Sequence, residues 1–126
     1  MNYRVRDERI SARAVAWACF ANGMVFICVG LPLAFNLVPA NANYGVRLAA
    51  SFASEKNWST LNITGGVSLM LTGVALTLLG LRSLKLLAPG ATPASIQSAF
   101  IGCFLGIGAA PVLLLVEIAV AVGILR

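Results

Sequence analysis

Apolar residues in this sequence gather into three long blocks separated by shorter polar stretches. The blocks cover residues 14–37, 63–81 and 99–125, and none contains a lysine or an arginine. Each is close to the ~20 residues that carry an α-helix across ~30 Å of hydrocarbon at 1.5 Å per residue. The pattern predicts an all-α integral membrane protein: three transmembrane helices, a structured loop between the first two, and a single domain over residues 1–126. Residues 1–13, MNYRVRDERISAR, mix charges of both signs and predict a surface segment or an extension of the first helix.

The longest polar stretch, residues 38–62, begins with turn formers in Val38-Pro39-Ala40-Asn41-Ala42-Asn43-Tyr44-Gly45 and predicts an irregular loop. Ser54 then reads as a helix N-cap with Glu55 in the first turn, where a carboxylate suits the positive end of the helix dipole. The second helix is therefore expected to start before its apolar block, with Trp58 at headgroup level. Pro89, Gly90 and Pro93 predict a plain turn before the third helix. Asn22 and Pro32 in the first helix read as packing and kinking features.

Composition supports a bilayer. The chain is 60% hydrophobic and 10% charged, with mean hydropathy +0.92. A soluble bundle of this kind would need amphipathic helices around it, and few remain in the sequence. The first block follows a basic segment and precedes an A-x-A pattern at Ala40-Asn41-Ala42, but it is longer than the ~15-residue limit of a signal-peptide core, so an uncleaved helix is expected. The net charge of +5 is scattered over helix ends, which speaks against a nucleic-acid partner. Arg4, Arg6, Arg9, Arg13, Arg82 and Lys85 fall on one side of the membrane, against Arg47, Lys56 and Arg126 on the other. That asymmetry predicts a cytoplasmic N-terminus.

Gly66, Gly73 and Gly80 recur every seven residues, which keeps them on one side of the second helix and predicts close helix packing. Gly102, Gly106 and Ala110 form a small-residue ridge on the third helix. Glu117 follows on almost the same face. A carboxylate inside a span is expected to be buried in the bundle with a partner. Chain topology brings the end of the third helix to the side of the first loop, which suggests Arg47; the alternative is a Glu117 close enough to the interface to be hydrated.

The three cysteines, Cys19, Cys28 and Cys103, all lie in apolar blocks and read as packing residues. Without histidine, and with few carboxylates, neither a metal site nor a cofactor is expected. No catalytic motif is present; Ser51, Ser54, Glu55 and Arg47 are normal residues for a loop and a helix start. The residues alone thus predict a non-enzymatic protein whose partners are the bilayer and other membrane helices or a peptide.

The stretch Asn43-Tyr44-Gly45-Val46-Arg47, followed by Ser51-Phe52, Ser54-Glu55-Lys56-Asn57-Trp58, Asn62 and Gly65, resembles the signature of the SdpI/YhfL family of bacterial membrane proteins. That family shows N-x-x-Y-G-x-R-T followed by S-x-E-x-W-x-x-x-N-x-x-G; here the usual Thr-Pro after the arginine is Leu48-Ala49. The resemblance implies a bacterial inner membrane protein acting through protein or peptide contacts, in toxin immunity or envelope signalling. It also implies a partner-binding loop containing Asn43, Tyr44, Gly45, Arg47, Ser54, Glu55, Trp58 and Asn62. Six-helix members would place this loop on the cytoplasmic side, opposite to the charge asymmetry. A second reading is an accessory subunit of a larger membrane complex, packing through the glycine faces of the second and third helices.

Overall fold

The computed structural model describes residues 3–41 and 43–124. Met1, Asn2, Ala42, Leu125 and Arg126 lie outside the described residues, as do the side chains of Arg4 and Ile124. The chain is all-α, with α1 at Tyr3–Ala34, α2 at Glu55–Leu86 and α3 at Pro93–Ile124, plus one turn of 3-10 helix at Ser51–Ala53. All three α-helices are long and apolar enough to cross a membrane. Each exceeds its apolar block, because flanking polar residues continue the helix into the interface. Thus the 1–13 segment is helical from Tyr3, and α2 begins at Glu55. The rise from Asn62 to Arg82 along α2 is about 30 Å, one hydrocarbon thickness.

The helix ends have local causes. Asn36 closes α1 in the left-handed region at φ 53°. Its N–H donates to Leu33 O at 3.0 Å and the next N–H, of Leu37, to Pro32 O at 2.9 Å. That pairing is the Schellman arrangement, with asparagine where glycine is commonest. Ser54 caps α2 by accepting from Asn57 N at 3.0 Å. At the other end of α2 the Leu87 carbonyl accepts from Arg9 Nε at 3.1 Å and Nη2 at 2.9 Å, so the extension of α1 supplies a donor that the helix end lacks. Thr92 caps α3 through Ser95 N at 3.2 Å, and Pro93 takes the first helical position, where its missing N–H costs nothing.

The tightest packing joins α1 to α2. Gly66 meets Gly30, Leu33 and Ala34; Gly73 meets Gly23 and Ile27; Gly80 meets Ala16 and Phe20. In each case the nearest atoms across the interface include backbone, and a Cβ on Gly73 would stand 2.6 Å from Gly23 O. The heptad glycines of α2 thus interlock with Gly23 and Gly30, themselves seven residues apart. Gly102 and Gly106 receive the Leu79 side chain of α2, and Ala110 is buried. Both glycine faces thus meet residues of the same chain.

At the Arg82 end a core of mostly small residues joins all three helices: Ala12, Ala16 and Cys19 from α1, Leu76 from α2, and Ala99 and Cys103 from α3. Cys19 Sγ lies 3.4 Å from Leu76 O and Cys103 Sγ 3.2 Å from Ser83 Oγ. Cys28 is exposed.

The fully buried positions of α3, Ile96, Ala99, Cys103 and Ala110, all precede Pro111. Beyond Pro111 no described residue of α3 is fully buried. Glu117 is consequently exposed rather than buried, and it makes no contact with Arg47, which is exposed as well. The expected pairing fails for a geometric reason. The loop meets α3 through Leu48, across a cavity of about 360 Å³ lined by Leu115, Ile118, Ala119, Val122 and Gly123. Glu117 stands at least ~100° around the helix from each of Leu115, Ile118, Ala119 and Val122. A carboxylate turned outward within a span costs at least a few kcal/mol unless it is protonated, hydrated or paired.

Candidate functional site

The loop between α1 and α2 is tied down along its length. Asn41 Oδ1 accepts from the backbone N–H groups of Asn43 and Tyr44, both at 2.8 Å, forming an Asx turn. The Tyr44 hydroxyl reaches down to donate to Val29 O, in the turn of α1 before Pro32. Gly45 follows at φ 112°, a conformation open to glycine and poor for other residues. Its Cα side faces Asn62, and a Cβ there would collide with Asn62 Oδ1.

Asn62 is the centre of this arrangement. It is 1% exposed, accepts from Val46 N at 2.7 Å and donates to Trp58 O at 2.9 Å. Val46 lies over Gly65, where a larger residue would displace it. The loop therefore dips to the level of the second and third turns of α2. Trp58, also buried, donates from Nε1 to Val38 O at 3.0 Å and packs its ring at 5.2 Å from that of Phe52. Ser59 Oγ donates to Asn36 Oδ1 at 3.1 Å, Asn57 Nδ2 to Ala50 O at 3.2 Å, and Leu48 N to Ser51 Oγ at 3.2 Å.

Two segments held in this way, residues 36–40 and 51–59, wall an open cavity of about 830 Å³. Its floor carries Trp58 and Val38, its rim Glu55 and Lys56, and Leu37 and Phe52 stand exposed at its edge. An apolar basin with charged groups of both signs at the rim is suited to a partner with apolar side chains and a polar backbone.

Of the residues singled out in the sequence, Tyr44, Gly45, Ser54, Trp58 and Asn62 come together, and Glu55 lies at the rim. Asn43 is exposed and joins only through its backbone N–H. Arg47 is exposed, and no hydrogen bond or ion pair of its side chain is formed among the described residues. Three contributions went unrecognised in the sequence. Asn36 and Asn41 act through turn chemistry, of which the Asn-Ala-Asn run was a sign. Ser51 acts through a bond back to Leu48 that no spacing announces.

The hydroxyl oxygens of Ser51 and Ser54 accept from Leu48 N and Asn57 N. Among the described residues no three metal-ligating side chains converge. Compared with known proteins, the chain matches no protein family, no curated protein and no solved structure.

Proposed function

We propose that this chain is a non-enzymatic multi-pass protein of the bacterial cytoplasmic membrane that binds a peptide or protein segment in the cleft beside Trp58. The observation that carries the reading is the cleft itself: about 830 Å³, apolar at its floor, and walled by segments that Trp58 and Ser59 tie to each other. Such a preorganised basin does not have to be ordered when a partner arrives, which favours affinity. The resemblance of the Tyr44-Gly45-x-Arg47 loop to the SdpI/YhfL signature supports immunity to a secreted peptide as the setting.

The concentration of Arg6, Arg9, Arg13, Arg82 and Lys85 at the opposite end supports a cytoplasmic N-terminus, with the cleft outside, where a secreted peptide would arrive. A reporter fused to the C-terminus tests this orientation. Phosphatase activity outside the cell is expected, and cytoplasmic reporter activity alone would reverse the assignment.

The binding reading is tested by a photocrosslinking residue placed at Phe52 in cells challenged with their own secreted peptides. A discrete peptide or protein adduct is expected, and Trp58→Ala should reduce its yield about tenfold or more by removing the cleft floor. Labelling of lipid alone would refute the reading.

A further inference from the structure

Cys19 of α1 and Cys103 of α3 are both fully buried, and they meet in one cluster with Ala12, Ala16 and Ala99. Cys19 Sγ stands beside Leu76 O, and Cys103 Sγ beside Ser83 Oγ further along α2. Between these two anchors the thiols adjoin and share a side-chain hydrogen bond. Ala12, Ala16 and Cys19 form a stripe of small residues on α1, as Ala99 and Cys103 do on α3, and such stripes let helix backbones come close. Close backbones suit a disulfide, which needs Cα atoms about 4.4–6.8 Å apart. Cys28 lies about 13 Å further along α1, too far to take the place of Cys19.

The way α3 is attached gives the pair access to reagents. α1 and α2 interlock through glycine against backbone, whereas Gly102 and Gly106 of α3 meet the end of the Leu79 side chain. Among the described residues the fully buried positions of α3 are Ile96, Ala99, Cys103 and Ala110, three of them small. Contacts made by small residues and flexible side-chain ends give way at lower free energy than an interlocked backbone. When α3 lifts, both thiols are uncovered together, about one helical turn below the polar end at Arg82, which adjoins Ser83. When it reseats, they stand face to face.

We propose that Cys19 and Cys103 are an oxidisable dithiol, which a small soluble disulfide converts into a disulfide bond between α1 and α3. In the first exchange the thiolate of one cysteine, its proton released to water, attacks a sulfur of the small disulfide. A mixed disulfide forms, and one small thiolate leaves and takes up a proton. The second cysteine then attacks the protein sulfur of the mixed disulfide and expels the other small thiol in the same way. Two protein thiols and one small disulfide become one protein disulfide and two small thiols, with two electrons passed to the small molecule. The bond closes a long loop that contains all of α2, and it ends the lifting of α3. It stands at the other end of the bundle from the cleft, so it does not depend on what the cleft binds.

The test uses the full chain with Cys28→Ser, held in mixed micelles, incubated with oxidised glutathione and followed by intact mass and heat unfolding. Loss of two hydrogens is expected, with Cys19 and Cys103 recovered in one crosslinked peptide, and dithiothreitol should restore the mass. The unfolding midpoint should rise by at least about 5 °C on oxidation and fall back on reduction. Cys19→Ser and Cys103→Ser, each in the same background, should instead carry one glutathione and show no rise. Alanine replaces serine, keeping the site small and apolar, if circular dichroism shows a serine variant to be unfolded. Two thiols left free, two glutathiones on the Cys28→Ser chain, a crosslink between separate chains, or a disulfide that leaves the midpoint unchanged overturns the proposal.

Discussion

Replacing Gly73 with leucine is expected to separate α1 from α2 and to cost at least about 3 kcal/mol of stability, enough to leave much of the protein unfolded. The reason is the nature of the obstacle. Overpacking is tolerable when the neighbour is the flexible end of a side chain, but Gly73 faces the Gly23 carbonyl and the Ile27 backbone nitrogen. The two helices can make room only by moving apart. Such a movement would be felt at Gly66 and Gly80 as well, because the three glycines share one interface. Gly108 provides the control. Nothing lies within 4 Å of a Cβ built there, so Gly108→Ala should change stability by no more than about 0.5 kcal/mol. Equilibrium unfolding in mixed micelles, followed by tryptophan fluorescence, measures both.

Replacing Asn62 with leucine should destabilise the protein by about 2–4 kcal/mol and release the loop while leaving the helices formed. The side chain is similar in size, so the loss is one of hydrogen bonding. Val46 N–H, part-buried at the depth of Gly65, would lose its acceptor. Amide exchange at residues 44–48 should quicken by an order of magnitude or more, while exchange in the middle of α2 stays slow. Gly45→Ala strains the same junction from the other side, because its Cβ collides with Asn62 Oδ1. The two substitutions should therefore be strongly non-additive, and the double-mutant cycle reports their coupling. Unchanged exchange at 44–48 in the Asn62 variant would show that the loop is held by its other ties alone.

The helices were legible in the sequence because lipid imposes a simple demand. Every backbone group must be satisfied within a helix, and about twenty apolar residues must follow one another. The start of α2 was legible for a similar local reason, since Ser54 and Glu55 act on the backbone beside them. The spacing of Gly66, Gly73 and Gly80 announced a close contact but not its partner. Gly23 and Gly30 have the same seven-residue spacing, and only the antiparallel register shows that the two sets interlock.

Glu117 was the least legible residue. By angle it belongs with Gly106, and from that angle burial follows for a straight helix lying against the bundle along its whole length. It ceases to follow beyond Ala110, the last fully buried residue of α3 among the described residues. Within the site, Trp58 and Asn62 were recognisable as members of the loop signature. The carbonyls they engage, Val38 and Trp58, carry no mark in a sequence, because every residue has one.

The ties of the loop reach Val29, Asn36, Trp58, Ser59 and Asn62, and every one belongs to α1, the connector or α2. The walls of the cleft lie between residues 36 and 59. During synthesis, therefore, the binding basin and the glycine-interlocked hairpin beneath it can be complete while the third helix is still inside the ribosome. What α3 adds comes last and from one side, so its arrival changes how the finished hairpin is held in the membrane without rebuilding it.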